Sequence, residues 1–298
     1  MSAAPLTPET PVLPAGNPPV RSALPWGHFR RQVAAILRLE LKKSFFAKRA
    51  LGVYAIAAMP VVILALRALL AKLPFTHAVG NAADLGEASL VFATIYQGFL
   101  LRLVIFFGCV EIFGNLIRRE LLERTLHYYL LSPLRREVLA TAKYGTGLFV
   151  SFLLFGLSTL ASFVFGYLPY EGLERFFLHG PGFGHLLAYL GVTLLACLGY
   201  GAVFLTFGFF FKSPAIPAVI VFGWEAINFL LPPVLKKISI IYYLQSLCPV
   251  PLSAGPLALL ADAPSPWLAV PGLFLLTALL LALSAYKIRR MEISYEED

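Results

Sequence analysis

Six long apolar runs constrain the fold of this chain more than any other feature of its sequence. They cover about residues 51–70, 92–117, 145–168, 186–211, 214–231 and 267–286. A helix of roughly 20 mostly apolar residues crosses the hydrocarbon core of a bilayer. The runs are continuously apolar and lack the alternation of a barrel strand, whereas a helix satisfies its own backbone in lipid. The sequence therefore predicts an all-α integral membrane protein with six transmembrane helices.

The composition supports a membrane protein and argues against a nucleic-acid-binding one. Hydrophobic residues make up 59% of the 298 residues and charged residues only 13%, whereas about a quarter of the residues in a soluble domain are charged. The net charge is +8, but the basic residues cluster beside the apolar runs, where they set membrane orientation. We therefore expect membrane lipids, and no nucleic acid, among the partners of this chain.

The distribution of Lys and Arg predicts which side of the membrane each loop occupies. With a cytoplasmic amino terminus, eighteen lie on the cytoplasmic side: Arg21, Arg30, Arg31, Arg38, Lys42, Lys43, Lys48, Arg49, Arg118, Arg119, Arg124, Arg135, Arg136, Lys143, Lys212, Lys287, Arg289 and Arg290. Only Lys72, Arg175, Lys236 and Lys237 lie outside. Because cytoplasmic loops carry the excess of basic residues, both termini and the segment 118–144 are predicted to be cytoplasmic.

The residues outside the six runs are predicted to include two tails, an interfacial helix and a re-entrant segment. Residues 1–28 are rich in proline and are expected to be a disordered cytoplasmic tail, and 287–298 form a second tail. Residues 29–50 are predicted to form an interfacial amphipathic helix, with Arg31, Arg38, Lys42 and Arg49 along one stripe in contact with lipid headgroups. A solvated juxtamembrane segment is the alternative. The proline-interrupted segment 232–266 before the last run is predicted to be re-entrant or an outer cap.

The segment 118–144 is a polar island between the second and third runs. Pro133 divides it, because the residue before a proline is pushed away from helical geometry, and Ser132 stands where a helix N-cap would. The sequence thus predicts a bent helical hairpin whose charges can dock another protein on the cytoplasmic face. The alternative is a solvated loop that only fixes the topology.

The island carries characteristic residues in a fixed order: Glu120, Glu123, Thr125, Leu126, the apolar run 128–131, Pro133, Arg135, Arg136, Glu137 and Lys143. This order resembles that of the permease subunits of type 2 ABC exporters. Those permeases show an acidic cluster, a Thr-Leu pair, a short apolar run, a proline, an Arg-x-Glu element and a lysine entering the third span. Arg124 departs from the pattern, because many relatives have glycine there. The resemblance extends over nearly the whole chain from Arg30, with 51–286 as the permease domain.

This resemblance implies a coupling role for the island. In that family the island inserts into a cleft of a separate ATP-binding subunit, and two permeases, identical or related, enclose the pathway. The residues expected to contact the ATP-binding subunit are Glu120, Glu123, Arg124, Thr125, Pro133, Arg135, Arg136, Glu137 and Lys143. The family also implies a multi-pass protein of the bacterial plasma (inner) membrane that works as an exporter.

The sequence carries no motif for ATP hydrolysis. No glycine is followed by lysine, so the phosphate-binding GxxxxGK[ST] loop is absent, as are HExxH and GxSxG. We therefore expect that the chain is not an enzyme and binds no cofactor. ATP and Mg²⁺ would be bound by the partner subunit.

Arg102 and Glu225 are the two ionisable residues deepest within the apolar runs. Such residues are costly in lipid and often mark a transport pathway, so the two are candidates for a pathway-lining or intramembrane pair, with purely structural pairing as the alternative. Two other functions remain open on the sequence alone. They are an ion-coupled secondary transporter, which should show an internal repeat, and a membrane scaffold that recruits a cytoplasmic protein.

Overall fold

The apolar runs fold into a set of helices with defined bounds. In this computed structural model the described residues are 50–71, 85–122, 136–170, 173–211, 213–251 and 264–290. They form α1 (Ala50–Ala71), α2 (Leu85–Ile95), a π-helical segment (Tyr96–Ile105), α3 (Phe106–Leu122), α4 (Arg136–Tyr167), α5 (Leu173–Leu178), α6 (Gly182–Gly208), α7 (Ala215–Ala226), α8 (Pro233–Lys236), α9 (Ile240–Ser246) and α10 (Pro266–Arg290), with a 3₁₀ turn at Asn228–Leu230. Because these ranges contain no strand, the predicted all-α class is confirmed.

Five stretches of helix are long and apolar enough to cross a membrane. They are Leu51–Ala71, Leu85–Gly114, Thr141–Tyr167, Gly182–Gly208 and Pro266–Lys287, and they correspond to the first four and the last of the predicted runs. The chain is therefore a multi-pass membrane protein.

The fifth predicted run, 214–231, differs from the expectation. It contains the 12-residue helix α7, which is about 18 Å long at 1.5 Å per residue and shorter than the roughly 30 Å hydrocarbon core. The helix ends at Ala226 and is followed by the 3₁₀ turn Asn228–Leu230. Leu231, which precedes Pro232, is extended, with φ −75° and ψ 149°. One short helix thus replaces the sixth long one.

Helix α6 lies at the centre of the bundle, in contact with α3, α4 and α10. Its small residues permit this close packing. Gly199 faces Ile240 of α9 and Leu273 of α10, and Gly201 faces Phe113 of α3. Helices in lipid associate by such close van der Waals contact, because lipid tails are as apolar as leucine.

Hydrogen bonds and a ring contact show that four helix ends meet at one face of the bundle. Lys143 near the start of α4 contacts Leu116 near the end of α3. Gly208 at the end of α6 lies against the backbone of Gly114 on α3, which brings α6 to the same face. There, Thr206 of α6 lies 2.8 Å from Ser284 of α10 between their hydroxyl oxygens, and Lys287 lies 5.2 Å from the centre of the Phe210 ring. Helices α3, α6 and α10 therefore end where α4 begins.

The chain between α6 and α10 turns back into the bundle. Pro214, just before α7, lies against Gly114 of α3, and α7 runs inward from there. Helix α9 is buried against α6 and α10, with Ile240 and Leu244 almost fully enclosed. Because α6 and α10 end at the same face, the chain must return to the opposite face before α10 begins.

Several predicted regions lie outside the described residues. These are the tails 1–28 and 291–298, and the interfacial helix except for Ala50, which begins α1. Arg31, Arg38, Lys42 and Arg49 are therefore predictions for lipid contact that the structure does not describe.

Candidate coupling and transport site

The predicted coupling segment is the polar island 118–144, and the structure describes only its two ends, 118–122 and 136–144. Glu123, Arg124, Thr125, Pro133 and Arg135 lie outside the described residues, whereas Glu120 lies on α3, and Arg136 and Glu137 begin α4. Helix α4 continues without a break for 32 residues, from Arg136 through the third membrane span. Because packed helices move as units, a displacement at Arg136 would pass directly into the membrane.

Lys143 is buried where α3 and α4 meet. Its side chain is 2% exposed, and its Nζ donates a hydrogen bond to the carbonyl oxygen of Leu116 at 3.3 Å. A buried ammonium group is costly unless hydrogen-bond acceptors or negative charges surround it. In this position Lys143 links the two helices that carry the coupling segment, and its side chain is not displayed on the surface.

The next residue links α4 to the central helix. The hydroxyl of Tyr144 donates to the carbonyl oxygen of Leu198 on α6 at 2.7 Å. Close by, the fully buried ring of Phe113 on α3 lies against Gly147 of α4 and Gly201 of α6, each of which leaves room for the ring because it has no side chain. Helices α3, α4 and α6 are thus fastened together next to the point where the coupling segment leaves the bundle.

Glu225, near the end of α7, caps the short helix α9. Its carboxylate accepts hydrogen bonds from the hydroxyl of Ser239 at 2.6 Å and from the backbone N–H groups of Ile240 and Ile241 at 2.9 and 3.1 Å. The first N–H groups of a helix have no partner within the helix, and a carboxylate there is favourable. Glu225 therefore serves as a side-chain cap supplied by another helix.

Arg102 lies in the π-helical segment, which interrupts the second membrane span. Phe106, four residues after Arg102, packs against Tyr200 of α6 and Phe222 of α7, with ring centres 5.3 and 5.5 Å apart. Glu225 lies three residues after Phe222. The guanidinium of Arg102 therefore lies in the same part of the bundle as the Glu225 carboxylate. It is not among the three groups that hydrogen-bond to Glu225, and its Nη2 atom is buried with no hydrogen-bond partner in the part of the chain that the structure describes. The structure thus brings Arg102 and Glu225 into one region without a direct hydrogen bond between them.

Other features of this region were missed in the sequence. Ser239 gave no signal, because a serine in a proline-rich segment has many ordinary roles. Gln97 donates from its Nε2 to the carbonyl oxygen of Val250 at 3.0 Å, which ties the π-helical segment to the chain after α9. The π helix itself has no sequence signature, although π turns within helices are frequent at functional sites.

No group of three His, Cys, Asp or Glu residues suited to a metal ion occurs within the described ranges. Cys109 and Cys197 are buried free thiols that pack in the apolar core.

Comparison with known proteins identifies the family. No curated protein sequence matches the chain. The sequence model of the family described as "ABC-2 family transporter protein" matches residues 36–225, a range that includes α1, the π-helical segment, the coupling segment, α6 and most of α7. With a match over more than half of its length and five long apolar helices, the chain belongs to the ABC-2 family of membrane transport components.

Proposed function

We propose that this chain is the membrane-spanning permease of an ATP-driven exporter and that a separate ATP-binding subunit drives it through the segment 118–144. The observation that carries this proposal is the set of hydrogen bonds that joins α3, α4 and α6. The two helices that enter and leave the coupling segment are joined by Lys143, and Tyr144 joins them to the centre of the bundle. A push on the segment would therefore reach the transport pathway as a movement of whole helices.

The docking surface in this proposal consists of Glu120, Glu123, Arg124, Thr125, Pro133, Arg135, Arg136 and Glu137. Lys143 belongs to the coupling machinery in a different way, since its buried side chain fixes the helices behind that surface. ATP and Mg²⁺ would be bound by the ATP-binding subunit. Two copies of this permease, or one copy with a related permease, would enclose the pathway in the bacterial inner membrane.

We also propose that the chain crosses the membrane six times, with both termini in the cytoplasm. The parallel directions of α6 and α10 support this, because the residues between them must make one net crossing. Helix α7 would begin that crossing, and the buried helix α9 would form the re-entrant part of it. The basic end of α10 would then lie on the same side as the coupling segment, in agreement with the positive-inside rule.

Affinity purification from membranes of the native host tests the coupling to an ATP-binding subunit. The tagged full-length chain should co-purify with Mg²⁺-dependent ATP hydrolysis and with a protein that contains a GxxxxGK[ST] loop. The combined reversals Arg135→Glu, Arg136→Glu and Glu137→Lys should reduce the co-purified activity at least tenfold.

The control is Lys237→Glu, which reverses an exposed charge after α8 on the predicted outer side. Co-purification should survive that change. If the wild-type chain brings down no ATPase, or if the triple reversal leaves the activity unchanged, the proposal is wrong.

A further inference from the structure

Seven buried side-chain nitrogen or oxygen atoms lack a hydrogen-bond partner within the described ranges. They fall into two groups. One lies on α4 and the first half of α6 and comprises atoms of Ser162, Tyr167, His185 and Tyr189. The other comprises Nη2 of Arg102, Nε1 of Trp224 and Oδ1 of Asn228. A buried polar atom without a partner costs about 1–3 kcal/mol, so the second group, which includes a charged side chain, calls for an explanation.

The second group surrounds the end of α7. Trp224 and Asn228 lie one residue before and three residues after Glu225, and Arg102 lies four residues before Phe106, at the end of the π-helical segment. Aromatic rings line the same region. The ring of Phe106 lies 5.3 Å from that of Tyr200 and 5.5 Å from that of Phe222, measured between ring centres. The π-helical segment, α6 and α7 thus meet around a small group of unsatisfied polar atoms.

The free hydrogen-bonding capacity here favours an acceptor as the ligand. Glu225 already receives three hydrogen bonds from the Ser239–Ile241 region, so it has little capacity left for Arg102 in this conformation. Of the three unpartnered atoms, Nη2 of Arg102 and Nε1 of Trp224 belong to donor groups, and Oδ1 of Asn228 is an acceptor. A planar guanidinium binds carboxylates and phosphates through two parallel hydrogen bonds, and these charge-assisted bonds are stronger than neutral ones.

The depth of Arg102 in the span strengthens the case for a ligand. Arg102 lies 12 residues before Gly114, the inner end of the span, which corresponds to about 18 Å at 1.5 Å per residue. That places it near the middle of a hydrocarbon core roughly 30 Å thick. An arginine at this depth is costly and is typically retained for substrate or ion binding.

We propose that Arg102 and Trp224 bind an anionic group, a phosphate or carboxylate, on the molecule that this permease transports. The inference rests on the proposed transport function and names its substrate class. The anionic group belongs either to a lipid headgroup or to a free solute, and the binding experiment separates the two.

Trp224 provides a built-in reporter for the experiment. The chain has three tryptophans, and the other two, Trp26 and the 90% exposed Trp267, can be replaced by phenylalanine. The permease is purified alone in detergent and titrated with dihexanoyl phosphatidic acid, inorganic phosphate, hexanoate and uncharged dihexanoylglycerol, while Trp224 emission is recorded. The anionic probes should give a saturable change, and dihexanoylglycerol should not. Saturation by phosphate or hexanoate alone indicates a solute site, whereas saturation by phosphatidic acid only indicates a headgroup site.

Variants connect the binding to Arg102. Arg102→Met should weaken binding of the anionic probes at least tenfold. Arg102→Lys should give an intermediate affinity, because the positive charge remains but the planar guanidinium with its paired donors is lost. Arg67→Met is the matched control, since Arg67 is another arginine within a span but donates to the Tyr170 hydroxyl at 2.7 Å, away from the site. It should bind the probes like the parent.

Thermal unfolding of the empty permease provides a second readout. Arg102→Met should change the melting temperature little, because it removes an unpartnered buried donor and also a positive charge in the same region as Glu225. The inference is wrong if no anionic probe binds, if dihexanoylglycerol binds equally well, or if Arg102→Met keeps the parent affinity. Since the ATP-binding subunit is not needed here, these outcomes are independent of the co-purification test of the transport function.

Discussion

The Glu225 carboxylate holds two short helices together inside the bundle. Glu225 is 7% exposed, and its three hydrogen-bond donors all come from the start of α9. Within a membrane, water is not available to accept hydrogen bonds from the N–H groups of Ile240 and Ile241, so the protein must supply the acceptor. The residue therefore fixes the position of α9 whether or not it also lies along the pathway.

Replacing Glu225 should loosen α9. Glu225→Ala leaves a hydroxyl and two N–H donors without their acceptor, which should lower the free energy of unfolding by about 3 kcal/mol or more. Glu225→Gln should lower the free energy of unfolding less than Glu225→Ala, because the amide oxygen still accepts a hydrogen bond. Some loss should remain, because the amide NH₂ group faces other donors. Thermal unfolding in detergent measures both. Glu87→Gln, an exposed change in the first turn of α2, should cost less than about 1 kcal/mol, and equal effects at the two glutamates would contradict the capping role.

Lys143 should control the local mobility of the α3–α4 junction. Lys143→Met keeps the length of the side chain but removes the donor to Leu116. Amide exchange at the end of α3, residues 115–122, should become about tenfold faster, since that helix end loses a hydrogen bond to α4. Lys143→Arg should restore much of the protection, and unchanged exchange in Lys143→Met would show that the link is not structural.

At the scale of helices, Phe113 connects three elements through two glycines. A Cβ atom added at Gly147 would lie 2.6 Å from Cε1 of Phe113, and one added at Gly201 would lie 2.6 Å from its Cζ. Both distances are far below van der Waals contact, and the ring is buried on all sides. The junction behind the coupling segment thus depends on the absence of side chains at two positions.

Gly201→Ala should therefore destabilise the bundle even though alanine is the better helix former. Overpacking of a buried site costs typically about 1–3 kcal/mol, which exceeds the gain of up to about 1 kcal/mol in helix propensity. Gly191→Ala is the control on the same helix, because no atom lies within 4 Å of an added Cβ there. Its melting temperature should stay level or rise. If Gly201→Ala and Gly191→Ala unfold at the same temperature, the Phe113 ring does not pack against Gly201.

The sequence predicted the helices better than it predicted their contacts. Long apolar runs such as 51–70 follow from composition alone, because lipid leaves the backbone few choices. The run 214–231 was less predictable, since its helix ends at Ala226, well before Pro232, and Glu225 on that helix caps α9. Arg102 and Glu225 stood out as costly charges, but their separation depends on where Ser239 lies, and packing across the bundle determines that position.

At the scale of the whole molecule, the directions of the helices bear on the topology. The ends of α3, α6 and α10 meet the start of α4 at one face. Residues that leave the bundle at this face, on both sides of the coupling segment and after α10, must lie on one side of the membrane. The eighteen basic residues expected on the cytoplasmic side include those next to these helix ends, so the positive-inside rule predicts that this side is the cytoplasm.

Cysteine labelling in intact cells tests this arrangement. In a background without Cys109, Cys197 and Cys248, single cysteines are introduced by Ser132→Cys in the coupling segment, Ser294→Cys after α10 and Lys237→Cys after α8. A maleimide that cannot cross membranes should label only Lys237→Cys in intact cells, because the chain between α6 and α10 makes one net crossing. The other two should react only after permeabilisation. Labelling of Ser132→Cys from outside would place the coupling segment beyond the reach of any cytoplasmic ATPase. Opposite sides for Ser132→Cys and Ser294→Cys would contradict the common face at which α3 and α10 end and α4 begins.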